Sequence, residues 1–192
     1  MINSALNDKL VQFFNESLAM EHAAEDRIRE RINETPVEQV RQQLQYHLEE
    51  TRQQQNRLRG IITKMGGSPT TAKASLPTIK PTTMDTISGM VKETAKSMAS
   101  EESRQTLDAE KELMRTKEDA IIENAEIISY KMLMEMADKA GLKEAYAKLQ
   151  QSLQEEAAMA NFITGNTLVL LSMLWPKLEA PIQGKQEKIA QA

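Results

Sequence analysis

The sequence predicts an all-α protein: a four-helix bundle made of two antiparallel helical hairpins, joined by a long crossover that carries one short helix. Three observations predict it. Apolar residues recur at helical spacing through most of the chain outside about 66–103. Helix formers (Ala, Leu, Met, Glu, Gln, Lys, Arg) dominate a composition that is 40% hydrophobic and 27% charged. Two distant stretches, HLEET at His47–Thr51 and LQEEA at Leu153–Ala157, read as one helical element used twice.

The first helix is expected from about Asn3 to Asn33, with Leu6, Leu10, Phe13, Phe14, Leu18, Ala24, Ile28 and Ile32 along one side. Thr35-Pro36 punctuates it. Thr35 is placed as the cap of the second helix, with Pro36 at its first position and Glu38 completing a capping box. That helix runs to about Met65 and stops at Gly66-Gly67-Ser68-Pro69. So short a turn forces the first two helices to lie antiparallel. The crossover, about 66–103, opens with the extended TTAKASLPTIKPTT and then carries a short amphipathic helix through Met84, Ile87, Val91, Ala95 and Met98. The third long helix spans roughly Glu102–Ala140 and ends at Gly141. The fourth begins near Lys143 and ends about Leu174, before Pro176. One domain over 1–175 is therefore expected, followed by a polar, mobile tail over 176–192.

Composition excludes several classes of function. With no cysteine there is no disulfide, thiolate chemistry, iron–sulfur cluster or cysteine-ligated zinc, and a reducing compartment fits. The net charge of −4 is mild and its signs are interspersed, which argues against a nucleic-acid partner. MINSALNDKL has no basic region followed by an apolar run, so no signal peptide is expected and the protein is placed in the cytoplasm. Ala157–Trp175 carries no charged residue for 19 positions, but its Asn, Thr, Gly and Ser residues favour a buried helix end over a membrane span.

The acids carry the chemistry. Glu21 precedes Glu50 by 29 positions, and Glu126 precedes Glu156 by 30. A helix turns roughly 100° per residue, which puts Glu21 near the centre of the stripe Leu10, Phe14, Ser17, Glu21, Ala24, Ile28. Glu25 falls on its flank and His22 points outward. His47 lies inside the second helix's stripe with Glu50 at its edge, and Gln43 and Gln54 flank His47 on the same side as candidate hydrogen-bond donors to the ligands, although exposure is the default for glutamine. In the third helix, apolar around more than half its circumference as suits a buried helix, Glu123, Glu126, Tyr130, Leu133 and Ala137 line one edge of the arc, while Glu118 also falls on an apolar stripe. Glu156 sits in the middle of Leu149, Leu153, Ala160 and Ile163. Two carboxylates about 4 Å apart repel by roughly 4 kcal/mol at an effective dielectric near 20, so four converging in a core either take up protons or recruit cations. Glu21, Glu50, Glu126 and Glu156 balance two divalent ions, and His47 adds a neutral nitrogen. Such hard ligands suit iron(II) or manganese(II), with zinc a further choice. The competing reading is that long polar helices carry acids on apolar arcs by chance, or paired with Arg or Lys.

HLEETRQQQNRL (His47–Leu58), ISGMVKE (Ile87–Glu93), ENAEIISY (Glu123–Tyr130) and LQEEAAMANFIT (Leu153–Thr164) resemble the YciE/YciF-like branch of the ferritin-like superfamily, over most of Ser17–Thr164. The resemblance implies a ferritin-like bundle with a dinuclear iron or manganese centre, commonly a homodimer, in a family associated with stress responses. Carried over, the ligands are Glu21, His47, Glu50, Glu126 and Glu156, with Glu123 as an additional oxygen donor. The wider superfamily usually supplies a histidine from its fourth helix. Here Leu153 stands at the position equivalent to His47, leaving that side without a nitrogen ligand unless Glu123 fills the gap.

The expected function is a redox dimetal protein that reacts with dioxygen or hydrogen peroxide, in stress defence or iron handling. Peroxidase, catalase-like and ferroxidase reactions all need the same site. Tyr130, one turn past Glu126, is the candidate catalytic residue, and a core tyrosine with a satisfied hydroxyl is the plainer reading of it. The alternative is a metal-free helical partner-binding module, in which Met114, Met132, Met134 and Met136 offer an adaptable surface; such methionines also serve as ordinary core filling.

Overall fold

The computed structural model describes residues 3–76 and 101–190, the side chains of 101–103 and 180–190 excepted. Its helices are α1 (Ser4–Glu34), α2 (Glu38–Lys64), α3 (Glu101–Lys139) and α4 (Lys143–Ala190), and no strand occurs among the described residues. The short crossover helix expected at Met84–Met98 lies outside them. The chain divides into two compact units: Met1–Pro77 with Ala120–Phe162, and Thr78–Asp119 with Ile163–Ala192. The first unit is a four-helix bundle. Its core takes Leu10, Phe14 and Leu18 from α1, Leu58, Ile61 and Ile62 from α2, Tyr130, Leu133 and Ala137 from α3, and Ala145 and Leu149 from α4.

Helix ends follow local chemistry. Asn3 caps α1, its side-chain oxygen accepting the Leu6 N–H at 2.8 Å. The capping box expected at Thr35 does not form. Pro36 holds Thr35 in extended backbone, and Val37 is extended too, so α2 starts at Glu38 with Val37 as an N-cap that offers no side-chain bond. The Thr35 hydroxyl instead accepts the Val37 N–H at 3.3 Å, while Arg41 ties the turn by donating to the Ile32 carbonyl at 3.2 Å and to the Thr35 carbonyl at 2.6 Å. α2 and α3 end alike. Gly66 (φ 79°) and Gly141 (φ 71°) turn the chain left-handed, and the next N–H reaches back to Ile62 O at 2.9 Å and to Ala137 O at 2.8 Å.

The non-helical stretch 67–76 runs along α1. Asn15 accepts the Thr70 N–H at 2.7 Å and donates to Ser68 O at 3.2 Å, and Ala74 N–H donates to Ala19 O at 2.9 Å. A Cβ on Gly67 would lie 2.5 Å from Val11 Cγ1, so only glycine allows this approach.

In the second unit α4 does not stop before Pro176: helical backbone continues to Ala190 where a mobile tail was expected, and Gln191 and Ala192 lie outside the described residues. The apolar stretch is buried on one side only. Ile163, Leu170 and Leu174 are inside, but Leu168, Val169, Met173 and Trp175 are more than half exposed. By length and composition Lys143–Glu179 is apolar enough to cross a membrane, a test that core helices of soluble proteins also pass.

Candidate metal centre

The six candidate ligands and Tyr130 all fall in the first unit. α1, α3 and α4 deliver acids from the stripes that also build the core, so Glu21, Glu123, Glu126 and Glu156 are all buried, with His47 of α2 and Tyr130 of α3 among them, whereas Glu50 is only partly buried. His47 is the hub. Its Nδ1 stands 3.1 Å from Glu50 Oε2, and its Nε2 stands 3.3 Å from Glu123 Oε2 and 3.7 Å from Glu156 Oε2. One ligand atom from each of His47, Glu123 and Glu156 lies within 4.8 Å of the others, the spacing of a shared cation. Glu50, 14% exposed at its side chain, is placed against the far nitrogen of the imidazole, where a carboxylate fixes the tautomer and ring direction.

The other half of the cluster is anchored by hydrogen bonds. The Tyr130 hydroxyl donates to Glu21 Oε1, and the Gln54 side-chain amide donates to Glu156 Oε1. Gln55 donates to the Glu21 carbonyl at 3.2 Å and to Glu25 Oε2 at 2.8 Å. After these bonds are made, the buried side-chain atoms without a partner among the described residues are Glu21 Oε2, Gln54 Oε1, Glu123 Oε2, Glu126 Oε1 and Glu156 Oε2. Glu123 Oε2 is near His47 Nε2 but misaligned for a hydrogen bond. Buried polar atoms are nearly always satisfied, so a set of orphaned oxygens in one cluster calls for shared protons, water or a bound cation.

The electrostatics agree. Burial pushes the Glu21 carboxyl up to about 8, against the Tyr130 hydrogen bond and the His47 charge, which pull it down. Burial, then repulsion from neighbouring acids, holds Glu126 and Glu156 well above the usual carboxylate range. Burial alone would lower the imidazole of His47, but Glu123 and Glu50 keep it well above its ordinary value. Burial and Glu21 likewise raise the Tyr130 phenol, so it stays a proton donor. Without a cation these acids keep protons; bound cations would replace those protons. The residues fit a carboxylate-rich metal site.

The structure decides between the two readings of Gln54, in favour of a donor to a site carboxylate. Gln54 is fully buried against Glu156, not exposed. The signal was its spacing, seven residues beyond His47 and so nearly two turns along the same stripe. His22 is engaged outside the cluster, its Nδ1 2.9 Å from Ala72 O and its Nε2 2.9 Å from Arg59 Nη2. Glu155 takes a bidentate ion pair from Arg57 at 2.6 and 2.7 Å.

Fold and buried acids define an all-α four-helix protein with an acidic interior. Residues 5–169 match the family described as a domain of unknown function (DUF892), and the chain belongs to it, in the YciF-like branch that its motifs resemble. Three solved structures are similar. A protein from Xanthomonas campestris pv. campestris is 22% identical over 90% of this chain and 97% of its own, with a TM-score of 0.63. YcfI from Rhodopseudomonas palustris is 24% identical over 83% and 92%, with a TM-score of 0.60. The E. coli stress protein YciF is 20% identical over 88% and 99%, with a TM-score of 0.61. At these identities the likeness establishes the fold. No curated protein matches the chain.

Proposed function

We propose that this is a dinuclear non-haem metal carboxylate protein that holds two iron or manganese ions, with zinc a further choice. It reacts with dioxygen or hydrogen peroxide, in stress defence or iron handling. The observation that carries this reading is the set of four buried glutamate oxygens and one amide oxygen left without partners around His47. Glu21, His47, Glu123, Glu126 and Glu156 would hold the ions, with Glu50, expected from the sequence as a ligand, standing behind the imidazole instead, and a bound pair would supply two one-electron equivalents to an oxidant. Peroxidase, catalase-like and ferroxidase reactions draw equally on this set.

The chain's own residues have definable tasks. Glu50 orients the imidazole through Nδ1, leaving Nε2 for the interior. Tyr130 holds a proton at Glu21 Oε1, which fixes the direction of that carboxylate. The core residues around the site exclude water, which strengthens every charge interaction within it. A homodimer is the assembly we propose, and the lack of cysteine supports a cytoplasmic place.

The test is metal analysis. Protein purified without chelator should carry about two iron or manganese ions per chain, and Glu156→Ala should lose them. Oxygen or peroxide added to anaerobically iron(II)-loaded protein should then give an optical change absent from the variant. Protein that folds normally and ignores added iron(II) would leave the metal-free partner-binding module as the better reading.

A further inference from the structure

Resting on the dimetal reading, we propose that Gln54 is itself a metal ligand, its side-chain carbonyl oxygen supplying the neutral donor that α4 lacks. The duplication of the hairpins leaves one side of the centre short. On α2 a neutral imidazole, His47, stands three residues before Glu50; on α4 the equivalent of Glu50 is Glu156, and three residues before it stands Leu153. A ligand for that side must come from elsewhere, and adding a further carboxylate would leave the buried site with excess negative charge.

Gln54 meets both requirements. It is 0% exposed, it carries no charge, and it lies on the stripe of His47. Its Nε2 donates to Glu156 Oε1. That bond leaves Oε1 facing no partner in the interior, and the other orphaned atoms are all oxygens of Glu21, Glu123, Glu126 and Glu156. A glutamine kept in a core only to hold Glu156 would still suffer the full cost of a buried, unsatisfied carbonyl, about 1–3 kcal/mol. A hard cation beside Glu156 removes that cost.

One variant and one spectrum separate a ligand from a residue that only positions Glu156. Gln54→Leu keeps the approximate volume and removes both the oxygen and the amide donor. Wild type and variant, carrying 13C at the glutamine side-chain carbonyls, are loaded with Mn(II) alone; bound metal is measured by elemental analysis and the carbonyl bands by infrared difference spectroscopy, after circular dichroism of the metal-free protein. If Gln54 is a ligand, one glutamine carbonyl band of wild type shifts down on loading, the shift is absent from Gln54→Leu, and that variant falls from about two ions per chain to about one. If the residue only donates to Glu156, Gln54→Leu weakens binding by about 10–100-fold and wild type shows no carbonyl shift. That result overturns the proposal, as does Gln54→Leu retaining both ions. Should Gln54→Leu fail to fold, the wild-type carbonyl shift decides alone. Wild-type protein that takes up no Mn(II) overturns the dimetal reading together with this inference, whereas loaded wild type with an indifferent Gln54→Leu overturns this inference only.

Discussion

Glu21 and Glu25 stand one turn apart on α1 in opposite surroundings. Glu21 is buried among acids with Tyr130 as its donor, and its carboxyl is pushed up to about 8. Burial pushes Glu25 the same way, but Gln55, Arg29 and Arg52 outweigh it and hold the carboxyl down to about 2. The sign of its linkage follows. Between its unfolded value of 4.5 and its folded value near 2, the unfolded chain binds the extra proton, so this stabilisation is present above 4.5 and lost as pH falls through that window. Glu25→Gln should therefore lower the urea midpoint above pH 4.5 and converge on wild type toward pH 2, with a smaller difference in high salt because the group is partly exposed. A constant offset at every pH would mean that packing, not charge, holds Glu25. The sequence placed Glu21 at the stripe's centre and Glu25 on its flank because helical period alone decides that. Helical period also put Gln54, seven residues beyond His47, on that residue's side, but period alone does not say that a polar amide there is buried against Glu156.

At the scale of the element, α3 explains what periodicity resolves and what it does not. Its wheel is apolar around more than half its circumference, which predicted a buried helix. The structure separates that arc into two faces. Glu123, Glu126, Tyr130, Leu133 and Ala137 point into the bundle, whereas Ile121, Ile128 and Met132 are 42%, 56% and 51% exposed. Spacings of seven and four along this outer face are those of a seam that packs against another helix. A single sequence cannot distinguish an apolar face meant for its own core from one meant for a second copy, since both are read by the same period. Burying each isoleucine would contribute about 1.5–3 kcal/mol, and the pair of stripes in a homodimer would count each residue twice. Wild-type protein should accordingly show a native mass near twice 21.6 kDa, and Ile128→Glu a mass near 21.6 kDa at the same concentration. A wild-type protein already at the single-chain mass, or a variant still at the doubled mass, would remove this face from the account.

At the scale of the whole molecule, fold and site are one problem. The four helices and their order were legible because hydrophobic period, Gly66, Gly141 and the short turn at Thr35-Pro36 each act locally. The pairing of His47 Nε2 with Glu123 and Glu156, over large sequence separations, arises only from packing. No isolated segment holds this donor set, since His47, Glu123 and Glu156 come from α2, α3 and α4. Ions that bind there bind the folded state alone and must stabilise it by mass action. Free metal at about one hundred times the dissociation constant adds about 2.7 kcal/mol per site. For a chain of 192 residues each kcal/mol raises Tm by about 2–4 °C, so one filled site gives a rise of about 5–11 °C. Mn(II) should produce this shift in scanning calorimetry, and a chelator should reverse it. Glu156→Ala should abolish the increment, while Glu49→Ala, which removes an exposed acid of α2, should leave it intact. Equal increments in both variants would assign the ions to scattered surface carboxylates, because only the interior cluster makes the stabilisation depend on Glu156 and not on Glu49.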